Sequence, residues 1–118
     1  MELGMGAVNI EKRWSDRRMI STDIKVIFSG RSYYAKTRDM GLGGMFIDLN
    51  HVLIPRDAKI KVIMLGYRDK ERYTSFETRV AFVTPQGYGL EFREFGTDHV
   101  RQLQTILFES PHEVVRLA

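Results

Sequence analysis

"RSYYAKTRDMGLGGMFIDL", residues 31 to 49, is the stretch on which the reading of the fold turns. Its first part alternates, with Tyr33, Ala35 and Thr37 on one side and Tyr34, Lys36 and Arg38 on the other, the period of a strand with one face on a core. The compact apolar run "GMFIDL" (44 to 49) reads as a second strand. Between them, "GLGG" predicts a tight turn with positive φ at one or more glycines. The stretch is therefore a hairpin, and its neighbours repeat the pattern. Upstream, "TDIKVIF" (22 to 28) sets Ile24, Val26 and Phe28 against Lys25 and Ile27. Downstream, "AKIKVIMLG" (58 to 66) aligns Ile60, Val62 and Met64, and "YTSFETRVAFVT" (73 to 84) aligns Phe76, Thr78, Val80 and Phe82. After the turn "TPQG", "GYGLEFRE" (87 to 94) supplies Leu90 and Phe92.

The period changes only at "TDHVRQLQTILF" (97 to 108), where Thr97 or Asp98 offers an N-cap and Val100, Leu103 and Leu107 form one helical stripe. Six short strands followed by a helix predict an all-β domain, a six-stranded antiparallel barrel closed by a C-terminal α-helix. The domain spans residues 11–109, residues 1–10 read as a flexible N-terminus, and 110–118, past Pro111, as a loose tail or a short helical turn.

With 118 residues, 43% of them hydrophobic and 28% charged, the chain has the composition of one soluble globular domain. No apolar run approaches the roughly 20 residues that span a bilayer, and the start carries no signal peptide, so no membrane insertion and a cytoplasmic location are expected. The absence of cysteine excludes disulfides, thiolate metal sites and cysteine nucleophiles. His51, His99 and His112 are scattered and read as surface histidines rather than metal ligands. Ser15, Ser21, Ser29, Ser32, Ser75 and Ser110 lie in no nucleophile elbow, no carboxylate pair stands out, and "GLGG" lacks the Lys-Ser/Thr of a phosphate loop. The chain does not read as an enzyme. A net charge of +3 favours an anionic partner only mildly, so placement of the charge matters more.

That placement is uneven: "RWSDRR" (13 to 18) concentrates three arginines ahead of the first strand. A guanidinium fork matches phosphate oxygens or the Hoogsteen edge of guanine, and its flat face stacks on a base. Taken alone, the trio is a solvated basic segment tethered by Trp14. Taken with "DMGLGG", the sequence resembles the PilZ domains, receptors for cyclic di-GMP, whose signature joins RxxxR in an N-terminal arm to (D/N)xSxxG between two barrel strands. Arg13 and Arg17 stand as RxxxR with Arg18 adjacent, and Asp39 and Gly44 end the second motif. "GGMFID", "YGLEF" and the terminal helix fall where that family has its third strand, last strand and closing helix.

The resemblance, from about residue 11 to 109, implies a PilZ-like split barrel that binds cyclic di-GMP through Arg13, Arg17, Arg18, Asp39, Gly41 and Gly44 and needs no cofactor. It implies an arm, residues 11–20, that is mobile until the ligand draws its arginines toward Asp39, and an effector protein that reads the change. Asp39 either accepts from a guanine's N1 and N2 or holds an arginine. One departure is Gly41, which replaces the family's serine; a lost neutral hydrogen bond weakens binding by about 0.5 to 1.5 kcal/mol without abolishing it. Two other readings stand beside this one: a degenerate PilZ-like adaptor that binds protein and no nucleotide, and, ranked last, a barrel for single-stranded nucleic acid using Tyr34, Lys36 and Arg38.

Overall fold

The computed structural model describes residues 17–69, 72–94, 96–109 and 115–116. Its elements are β1 (Arg18–Met19), β2 (Asp23–Phe28), β3 (Arg31–Met40), β4 (Gly44–Asp48), β5 (Lys59–Asp69), β6 (Arg72–Val83), β7 (Gly87–Phe92), α1 (Thr97–Gln104), a π-helical turn Thr105–Glu109 and β8 (Val115–Arg116). All strand pairs are antiparallel, in the order β2-β5-β6-β7-β4-β3, and pairing of β2 with β3 closes this set into a six-stranded barrel. Closure leaves the long strands no free edge.

The alternation in the sequence becomes the barrel's interior. Ile24 and Val26, Met45 and Ile47, Ile60, Val62 and Met64, Phe76 and Val80, and Leu90 and Phe92 are all buried in one apolar cluster. Ser29 and Gly30, with φ of 53° and 77°, make the two-residue loop from β2 to β3; positive φ at both loop residues matches the right-handed twist of the flanking strands.

Three expectations change here. Gly30 is the only glycine with positive φ among the described residues, so the turn at 41–44 does not use the left-handed region. It is closed instead by the Gly41 amide donating to the Gly44 carbonyl at 2.9 Å. Glycine is needed at 44 for room, because a Cβ there would strike the Leu90 carbonyl oxygen of β7. Second, Phe82 points outward and is 51% exposed, because a bulge between Val80 and Phe82 reverses the parity of β6. Third, residues 115–116 pair with β1 rather than forming a loose tail or helical turn.

The closing helix differs in detail as well. Gly96 occupies the N-cap with no side-chain cap, although Asp98 in the first turn suits the helix dipole and accepts from Arg101 at 2.9 Å. The buried stripe is His99, Leu103, Ile106 and Leu107, whereas Val100 is only half-buried. His99, expected at the surface, lies edge-on to Phe76 and Phe92 with ring centroids 5.0 and 4.8 Å away. Burial pushes its pKa below the usual 6.5, against an opposing pull from Glu94.

Candidate ligand-binding wall

β3 outlasts its pairing with β2. Its last residues are bracketed by β4 on one edge and β1 on the other, with Asp39 opposite both Phe46 and Met19. The chain between β1 and β2 is stitched to β3 through Thr37, which is fully buried. Its hydroxyl donates to the Ile20 carbonyl and accepts from the Thr22 amide at 3.0 Å, while its own amide donates to the Thr22 carbonyl at 3.0 Å. Each buried polar group in this knot has a partner, which fixes the root of the N-terminal segment against the barrel.

Immediately before β1, Arg17 donates from Nε and Nη2 to one carboxylate oxygen of Asp39, at 2.8 and 2.5 Å. The pair is partly open to solvent, with 36% of the Arg17 side chain and 18% of the Asp39 side chain exposed. An ion pair so placed stabilises the fold by at most about 1 kcal/mol, so a stronger anion can displace it. Gly41 and Gly44 are buried at the two ends of the turn that follows Asp39, and the Gly43 carbonyl accepts from the Phe92 amide at 2.9 Å, which ties the turn to the end of β7.

Arg18 faces elsewhere. It is 8% exposed, with its guanidinium carbon 4.5 Å from the centre of the Phe108 ring. Successive residues of an extended segment point to opposite sides, so Arg17 and Arg18 cannot both serve one surface. Arg13 lies outside the described residues, as do Trp14 and the rest of the arm before residue 17. The structure thus brings together Arg17, Asp39, Gly41 and Gly44, and places Arg18 apart from them.

Arg38, Phe46 and Phe82, none of them among the residues that the resemblance implies for cyclic di-GMP, complete the wall. Arg38, in the β3 bulge, lies 4.7 Å over the Phe46 ring and donates to Asp48. Phe46 in turn contacts Phe82 at 6.1 Å between centroids. Phe46 and Phe82 both stand opposite Gly89 of β7, where a Cβ would collide with the Phe82 ring. From Asp39 the outer side of the sheet therefore runs through Phe46, buried beneath Arg38, and through Gly89, whose backbone the Phe82 ring covers. The half-exposed guanidinium of Arg38 and the exposed Phe82 ring offer flat faces to solvent. The available sequence signal was Gly89, a residue without a side chain on an outward strand position that invites a ring from the next strand.

The sequence model of the PilZ domain matches residues 11–109. This chain belongs to the PilZ domain family. The fold agrees: among solved structures it is similar to one described as "Crystal structure of PilZ domain of CeSA from cellulose synthesizing bacterium". That similarity has a TM-score of 0.63 and 8% sequence identity, covering 78% of this chain and 95% of the other. No curated protein matches the sequence. PilZ domains form a family of cyclic di-GMP receptors, binding modules rather than enzymes. Among the described residues, no cluster of His, Asp and Glu is placed to hold a metal ion, and no helix is long and apolar enough to cross a membrane.

Proposed function

We propose that this PilZ barrel binds cyclic di-GMP on the wall between Asp39 and Phe82 and passes the occupancy on to an effector protein. The observation that carries the reading is the Arg17 fork, held on Asp39 beside the glycine turn by an ion pair weak enough to open. Ligand phosphate takes the donors of Arg17, with Arg13 of the same motif as the second fork. Asp39, once released, accepts from a guanine edge, and a base stacks on Arg38 or Phe82. Gly41 contributes no hydroxyl, so affinity is lower than a serine at that position would give.

The adaptor reading draws support from Phe82 and Val83, both exposed at the end of β6, which a protein partner could cover. The nucleic-acid reading has less: Tyr34 and Lys36 are exposed, but Arg38 is drawn onto Phe46 and Asp48 and leaves that file. Calorimetric titration of the full chain with cyclic di-GMP, and separately with a single-stranded oligonucleotide, separates the three. The receptor reading expects saturable heat with the dinucleotide and none with the oligonucleotide. Heat with the oligonucleotide alone, or with neither, overturns it.

A further inference from the structure

The two arginines at the root of the arm do different work. Arg17 faces the wall, while Arg18 is buried and covered by Phe108 of the π-helical turn. A second tie reaches the same place through the backbone. After the helix the chain returns, and β8 pairs with β1 in the register Arg18 opposite Arg116 and Met19 opposite Val115. β1 is therefore held between β3 and the C-terminal segment, and its only two residues are the ones next to Arg17. π-helical turns interrupt α-helices at a cost and are found disproportionately where a helix serves a function. Here the turn follows α1 directly, buries the consecutive residues Ile106 and Leu107, and carries Phe108 to Arg18.

We propose that Arg18 and Phe108 are positioning residues for the ligand-binding arginine: the C-terminal segment is a clasp on β1 that fixes the backbone from which Arg17 reaches the wall. This rests on the receptor reading of the wall. A pinned root spares the ligand the entropy of ordering that backbone, so the clasp tightens binding. By reciprocity, ligand held by Arg17 tightens the clasp, and occupancy is felt at residues 105–109, on the far side of β1 from the ligand.

The test combines titration with hydrogen exchange on the full chain. Arg18→Met keeps an apolar stem and loses the cation, and Phe108→Leu loses the ring; with the stack removed, cyclic di-GMP affinity is expected to fall about fivefold in each. Arg18→Lys and Phe108→Tyr keep a cation and a ring, and should restore most of the affinity, which general destabilisation of the helix would not do. In the parent, ligand should slow exchange at residues 105–109, and in Phe108→Leu this response should vanish. Without ligand, Phe108→Leu should speed exchange at Met19 and Ile20. If the parent binds while both disruptive variants bind equally tightly, the clasp is overturned and the receptor reading stands. If the parent does not bind, the receptor reading falls and the positioning role falls with it; unchanged exchange at Met19 and Ile20 in free Phe108→Leu would then exclude even a mechanical tie.

Discussion

Gly44 shows how a motif glycine can be required for a reason its sequence context does not display. A run of glycines suggests unusual φ, yet the turn at 41–44 avoids positive φ, and the constraint at 44 is the carbonyl of Leu90 on a strand 46 residues away in sequence. Such contacts are invisible until the strands are paired. Gly44→Ala forces apart the backbones of β4 and β7 and is expected to destabilise by about 2 kcal/mol or more, read as a lower urea midpoint. Gly41, like Gly44, has a backbone outside the left-handed region, so a side chain there meets no φ strain. The comparison of Gly41→Ser with Gly41→Ala then isolates a hydroxyl, expected to tighten cyclic di-GMP binding by up to about 1.5 kcal/mol; equal affinities for the two variants would show that residue 41 makes no side-chain contact with ligand. At Thr37, replacement by valine leaves the Thr22 amide without its side-chain acceptor and the Ile20 carbonyl without its hydroxyl donor, in a fully buried place. A loss of about 1 to 3 kcal/mol in unfolding free energy is expected.

At the scale of elements, β2, β3, β5 and β6 are legible because each keeps a period of two over most of its length, and β4 and β7 are legible as short apolar runs that begin at glycines. What was not legible were the places where the period breaks. The bulge in β6 turns Phe82 from an apparent core residue into part of the outer wall, and the bulge in β3 brings Arg38 over Phe46. β1 and β8 have two residues each, too few for any period, and are defined only by pairing. The helix is legible but its buried face only in part: Ile106 joins Leu103 and Leu107, Val100 is only half-buried, and His99 packs as an aromatic between Phe76 and Phe92. That packing makes stability depend on pH. The folded pKa of His99 lies below its unfolded value near 6.5, so the unfolded chain binds the proton more readily. Its contribution is thus complete above about pH 6.5 and is lost as pH falls through that value toward the folded pKa. Urea midpoints measured between pH 7.5 and 5 should fall more steeply for the parent than for His99→Leu; parallel profiles would mean that another group governs the acid limb.

For the molecule as a whole, family and architecture could be read from residue order alone, because RxxxR, the Asp39 turn, "YGLEF" and the helix follow one another in the family's sequence. The wall could not, since Arg17, Asp39, Phe46, Gly89 and Phe82 come from five separate places in the chain and meet only when the barrel closes. A ligand with two phosphates on a chain of net charge +3 should also bind more weakly as salt is raised, because exposed charges are screened beyond about 10 Å at 0.1 M. The central claim is that Arg17 is the anchor of that ligand, and one calorimetric comparison reaches it directly: cyclic di-GMP titrated into the parent and into Arg17→Ala. Because the Arg17–Asp39 pair is partly exposed, the variant should melt within a few degrees of the parent. Its affinity should nevertheless fall by about 2 kcal/mol or more, roughly thirtyfold. A variant that binds as tightly as the parent would contradict the account.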